Sequence, residues 1–171
     1  MHDVDRLFRE FHRPLVRYLT RRLGDRDWAE EVAQETFLRA VKQERIVSER
    51  SWLFAVATNL VRDEARKDIR RRRRLSVLRA EAEVDEEMRE DPLTLEHADA
   101  AAKARQALDL LAERDREALL MREEGLDYTE IAAALELSVS SVGTTLSRAR
   151  RRLVEAYESL QPRGTAAEAR G

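Results

Sequence analysis

Apolar residues recur at helical spacing along most of the chain. Leu7, Phe8, Phe11, Leu15, Tyr18, Leu19 and Leu23 mark a first helix, and Gly24 marks its stop. Pro14 interrupts this stretch, which predicts a kink or two shorter helices. Asp27 and Glu30 form a D-x-x-E capping box, opening a second helix whose buried face holds Val32, Phe37, Leu38 and Val41. A polar loop from Gln43 to Ser51 follows. A long helix then starts at about Ser51, with Leu53, Phe54, Val56, Ala57, Leu60, Val61 and Ala65 as its apolar side, and runs into the arginines of Arg70 to Arg74. Further on, Leu108 and Leu111 mark one helix, and Ala118, Leu119, Leu120 and Met121 another that ends at Gly125.

The stretch from Asp127 to Leu153 reads as two short helices joined by a tight turn. Asp127 and Glu130 form a capping box, and Ile131, Ala132 and Leu135 share one face of the helix it opens. Leu137 fills the corner, and Ser138 is placed to cap the second helix through its hydroxyl. Val142, Leu146, Ala149 and Leu153 form the inner face of that helix. Its other faces carry Ser140, Ser141, Thr144, Thr145, Ser147, Arg148, Arg150, Arg151 and Arg152. Hydroxyls and guanidinium groups reach base edges, and clustered arginines neutralise phosphates. The pattern is that of a helix-turn-helix whose second helix enters the major groove. A helical hairpin with a solvated basic face is the plainer alternative.

Composition narrows the possibilities. Five glycines, three prolines and 39% charged residues among 171 argue for an all-α chain. With no cysteine, neither a disulfide nor a thiolate metal site is possible. His2, His12 and His97 are scattered without ligand spacing. No apolar run reaches membrane-spanning length, and the N-terminus lacks the apolar core of a signal peptide, so a cytoplasmic protein without membrane insertion is expected. Net charge is −2, but it is segregated: residues 62–74 carry a net +5 and residues 75–100 a net −7. The acidic stretch has few large apolar residues and reads as a flexible linker. Two small helical domains are therefore expected, at 1–74 and 101–160, joined by a linker at 75–100. A disordered tail at 161–171 is expected to follow.

Two further patterns stand out. Around Val32 and Phe37, the residues Glu31, Gln34, Glu35 and Arg39 line an outer helix face. An ordinary solvated face and a docking surface for a basic partner both fit, and the pattern alone favours the former. In the segment from Ser51 to Lys67, Trp52 lies near a helix start, and Asn59, Arg62, Asp63 and Arg66 form a polar stripe. A Trp there is commonly a core or cap residue, yet a basic track with pockets also suits single-stranded nucleic acid. No Gly-rich phosphate loop or nucleophile pairing is present, so an enzyme, a cofactor and a small-molecule substrate are not expected.

These motifs, in this order from about Leu7 to Leu153, resemble the extracytoplasmic-function (ECF) group of bacterial RNA polymerase sigma factors. The segments AEEVAQETFLRA and RSWLFAVATNLVRDEARK at this spacing carry the resemblance together with the helix-turn-helix. It implies sigma region 2 in the first domain and region 4 in the last. The matching polymerase-binding residues, facing the β′ clamp helices, are Glu31, Gln34, Glu35 and Arg39. Those for melting and capturing the minus-10 element are Ser48, Arg50, Trp52, Asn59, Arg62, Arg66, Lys67 and Arg70. Those for reading the minus-35 duplex are Ser140, Ser141, Thr144, Thr145, Arg148 and Arg151. The resemblance further implies core RNA polymerase (including the β flap), promoter DNA and an anti-sigma factor as partners.

The chain departs from the family pattern at three positions. Glu136 stands where the turn usually has Gly, and Gly143 and Thr145 stand where members often carry Lys and Arg. The promoter sequence is therefore not carried over. A free-standing regulator using the same helix-turn-helix is the rival reading; its first 74 residues would hold a ligand pocket or a dimer face. A DNA-acting enzyme such as a recombinase is a third, without a nucleophile set.

Overall fold

The computed structural model describes the backbone of residues 3–80 and 92–161 and the side chains of residues 3–64 and 97–161. Seven helices and no strand occur among the described residues: α1 (Val4–Leu23), α2 (Arg26–Val41), α3 (Glu49–Ala80), α4 (Pro92–Asp109), α5 (Glu113–Glu123), α6 (Tyr128–Leu135) and α7 (Val139–Leu160). The all-α expectation agrees with this. Of the acidic stretch, residues 75–80 belong to α3 and residues 92–100 to α4, so helix encroaches on both ends of the expected linker. Residues 81–91 and the tail from 162 lie outside the described residues.

In the N-terminal half, α1, α2 and α3 pack on one another. Leu7, Leu15 and Leu19 of α1 meet Val32, Ala33 and Phe37 of α2 and Leu53, Phe54, Ala57 and Val61 of α3, all buried. Burying each large side chain here is worth about 1.5–3 kcal/mol. Tyr18 is fully buried, its hydroxyl 2.7 Å from Thr58 Oγ1 and its ring 5.1 Å from that of Phe54. In the C-terminal half, α4, α5 and α6 each pack against α7. Met121, Leu126, Ile131, Leu135, Val142 and Leu146 fill that core. The halves are in contact: α1 lies on α5 and α3 on α6, and the buried apolar residues of both form one continuous cluster.

Several local expectations are corrected. Pro14 does not divide α1, which runs unbroken from Val4 to Leu23. Buried anchors on both sides of the proline, Leu7 before it and Leu15, Val16, Tyr18 and Leu19 after it, fix both halves of the helix on one core. That packing outweighs one missing hydrogen bond. Gly24, at φ 71°, ends α1 as expected. The cap of α2 is Asp25, not Asp27: its side chain accepts from Trp28 N at 3.0 Å, while Asp27 sits in the first turn, favourable to the helix dipole. Glu30 instead lies 3.1 Å from His12 Nε2. Leu38 and Val41 are 51% and 60% exposed, because α2 buries Ala29, Val32, Ala33, Thr36, Phe37 and Ala40. The small residues among them, Ala29, Ala33, Thr36 and Ala40, let α1 approach closely. Leu111 falls just beyond α4 but is buried, and α3 starts two residues before Ser51.

Candidate nucleic-acid interface

The helix-turn-helix is built as its sequence dictates. Asp127 accepts from Glu130 N at 2.8 Å and Glu130 Oε1 accepts from Asp127 N at 3.1 Å, completing the capping box of α6. Glu136 turns the corner in the left-handed region (φ 55°, ψ 47°), so the turn keeps the conformation that favours glycine without having one. Ser138 occupies the N-cap of α7 with extended backbone, but its hydroxyl makes no cap bond. It faces the hydroxyls of Ser141 (2.5 Å) and Ser140 (3.3 Å) instead.

Along α7, Ser140, Ser141, Thr144 and Arg151 are exposed, and Arg148 is half-exposed. Thr145 is 5% exposed and belongs to the inner face with Val142, Leu146 and Ala149. The expectation that it faces DNA is therefore corrected: its place in the helical period points it at the core. Arg148 is held by Asp115 of α5, which accepts Nη2 at 2.7 Å and Nε at 3.3 Å; Arg152 Nη1 reaches the same carboxylate at 3.3 Å.

On α2, Glu31, Gln34, Glu35 and Arg39 are all exposed on one side, with Arg39 Nε 3.2 Å from Glu35 Oε1. Leu38 lies among them on the same side, one turn beyond Gln34 and Glu35, with Val41 next to it. At the start of α3, Ser48 is exposed, its carbonyl accepting from Ser51 Oγ at 3.3 Å, and Trp52 is half-buried against the core. Asn59 is exposed. The side chains of Arg66, Lys67 and Arg70, like those of the polyarginine stretch that follows, lie outside the described residues.

Arg50 and Arg62 are not open to solvent as a track. Arg50 forms a fork on Glu130 of α6, at 2.6 and 2.5 Å, so one carboxylate both caps α6 and ties it to α3. This pairing holds the Glu130 carboxyl below the usual range, with the Arg50 hydrogen bond as the largest cause. Arg62 donates Nη2 to Glu117 at 2.8 Å and Nε at 3.2 Å, with Glu117 fully buried. Burial pushes the Glu117 carboxyl up, more than its arginines pull it down. Arg22 lies 3.8 Å from Glu117 and 3.0 Å from Glu113. Arg17 donates to Glu124 at 3.0 Å. Sequence reasoning missed Glu113, Asp115, Glu117 and Glu124, together with Arg17 and Arg22. The available signal was the place of Glu117 and Glu124 seven residues apart, on the side of α5 that also carries Leu120 and Met121.

Among the described residues no cluster is placed to hold a metal ion, and no helix is long and apolar enough to cross a membrane. Comparison with known proteins places this architecture. Residues 7–74 match Sigma-70 region 2, and residues 101–153 match Sigma-70 region 4. The chain is 33% identical over 151 residues to the ferric citrate uptake sigma factor FecI of Escherichia coli, covering 84% of each chain. It is 32% identical over 135 residues to the ECF RNA polymerase sigma factor EcfG of Rhodopseudomonas palustris, covering 76% of this chain and 71% of that one. It is 28% identical over 153 residues to the RNA polymerase sigma factor YlaC of Bacillus subtilis, covering 86% and 88%. The fold is shared with the sigma factor RpoE of Bartonella quintana, solved in complex with the anti-sigma factor NepR. That match has a TM-score of 0.59 and 22% identity and covers 90% of this chain and 97% of that one. With both sigma regions in order on a shared fold, and relatives that match along most of their length, the chain belongs to the ECF group of RNA polymerase sigma factors, which direct promoter-specific transcription.

Proposed function

We propose that the outer face of α2 docks on the β′ clamp helices of core RNA polymerase through Glu31, Gln34, Glu35 and Arg39, with Leu38 and Val41 as its apolar contacts. The supporting observation is that these two large apolar side chains stay uncovered beside exposed carboxylates even though the two halves are packed together. Exposed apolar area ringed by charge is the anatomy of a protein-docking surface. The minus-10 element is taken by the connection 42–48 and α3, through Ser48, Arg50, Trp52, Asn59 and Arg62, continued by Arg66, Lys67 and Arg70. Extruding an unstacked base costs a few kcal/mol, offset by polymerase binding and pocket contacts. The minus-35 duplex is read by Ser140, Ser141 and Thr144 at the start of α7, with Arg148 and Arg151 on the backbone, while region 4 also meets the β flap. Because Arg50 and Arg62 are occupied by Glu130 and Glu117, this use of region 2 requires the halves to part.

On this reading the protein is a dissociable specificity subunit rather than an enzyme, and it works in the cytoplasm. An anti-sigma partner covering these faces fits the same scheme, as NepR accompanies the RpoE relative. Reconstitution with core RNA polymerase and transcription from fragments of the source genome tests the assignment. Glu35→Lys is expected to weaken core binding about tenfold with the fold intact, since a like charge then faces the basic partner. Unchanged affinity would remove α2 as the docking face.

A further inference from the structure

Asp115 is 1% exposed, yet both of its oxygens are turned to arginines of the DNA-reading helix. Arg148 grips it side-on through Nε and Nη2, leaving Nη1 uncommitted, and Arg152 adds Nη1 to the same carboxylate. These two arginines are one turn apart on α7, where like charges repel; the carboxylate beneath them offsets that repulsion. Their side chains remain 40% and 49% exposed. The result is a pair of guanidinium groups anchored from below and open at the outer edge.

We propose that Asp115 is a positioning residue: it fixes Arg148 and Arg152 as a preorganised pair of donors for phosphates of the minus-35 duplex. The inference rests on the reading of α7 as the helix that enters the major groove. In such helices the first turns face base edges, which falls here to Ser140, Ser141 and Thr144. Arg148 and Arg152 stand one and two turns beyond Thr144, opposite the backbone. An arginine carries considerable rotamer entropy, and a guanidinium already held in one geometry loses less of it on binding. Arg152 thereby enters the contact set although nothing in the sequence pattern separates it from Arg150 and Arg151.

Charge alone predicts the opposite behaviour, and this makes the inference testable. A carboxylate beside phosphate-binding arginines repels DNA, so removing it should tighten binding if that is all it does. The experiment is fluorescence anisotropy of the full chain on a labelled duplex of arbitrary sequence, about 25 base pairs long; phosphate contacts carry no sequence information. Asp115→Asn is expected to weaken binding about tenfold despite the loss of a negative charge. In an Arg148→Ala, Arg152→Ala background the same change is expected to have an effect of less than about twofold, because Asp115 acts through those side chains. Tighter binding by Asp115→Asn overturns the proposal, as does an equal loss in both backgrounds or a lowered melting temperature with binding unchanged. Should Asp115→Asn fail to fold, Arg148→Lys keeps the charge but cannot make the side-on grip. A comparable tenfold weakening supports the proposal, and unchanged affinity overturns it. If the unaltered chain does not bind duplex DNA at all, the reading of α7 falls and takes this inference with it.

Discussion

Glu136 holds a backbone conformation that costs an L-residue about 1–2 kcal/mol relative to the right-handed region. Among the described residues it is the one non-glycine with positive φ. The corner between α6 and α7 must turn sharply there, and Leu137 N donates to Ala132 O at 2.9 Å across it. Glu136→Gly is expected to raise stability by about 1 kcal/mol, read as a higher urea midpoint at unchanged slope, since glycine adopts this conformation without a Cβ penalty. A lower midpoint would show that the glutamate side chain compensates. The corner was legible because a turn between two amphipathic segments has few ways to close. Glu117 is only faintly legible: its place beside Leu120 and Met121 is the one signal, a carboxylate in a charged helix reads as solvated, and its partner Arg62 stands 55 residues away. Only the tertiary contact explains why it is buried.

At the scale of the element, α6 is tied to α3 by Glu130, which serves its own helix and Arg50 together. Its carboxyl is depressed, so the stability it contributes is fully present above the ordinary carboxyl value of 4.5 and is lost as pH falls through the lower folded value. Glu130→Gln is expected to flatten this acid-side loss, measured as melting temperature against pH from neutrality downward. An identical pH profile in the variant would assign the acid sensitivity to other groups. The capping box was visible from D-x-x-E spacing alone, and its second role was not. The α2 face shows the reverse limit. Its outward polar set agrees with the pattern, but the apolar register departs from it at Leu38 and Val41, which are exposed. Hydrophobicity assigns the large side chains to the core, while the helix seats itself through Ala29, Ala33 and Ala40. Close approach of two helices rewards small residues that hydrophobicity undervalues.

Across the whole molecule, the two sigma regions share one apolar cluster and are stitched by Arg62–Glu117, Arg50–Glu130, Arg17–Glu124 and Arg22–Glu113. Removing one partner of a buried pair leaves the other uncompensated. Arg62→Ala is expected to destabilise the chain by about 2 kcal/mol in urea unfolding, below the usual range for a buried pair because Arg62 is partly exposed and Arg22 remains near Glu117. A change near zero would show that Glu117 is served by water or by Arg22 alone. Two helical halves and their order could be read from periodicity and charge. Their contact could not, because docking between separately amphipathic units leaves no period in the sequence.

The paired arginines also bear on how binding responds to ionic strength. A cation that meets DNA from solution sets free the small ions condensed on the phosphates, and affinity then falls steeply with added salt. On the proposed reading, Arg50 and Arg62 come to the promoter from Glu130 and Glu117 instead. Each carboxylate left behind gathers counterions of its own, cancelling part of that release. The logarithm of promoter affinity should then fall with the logarithm of salt concentration more gently than the number of arginines on the DNA implies. On that reading, the protein meets its promoter with part of its ion atmosphere already built into the chain.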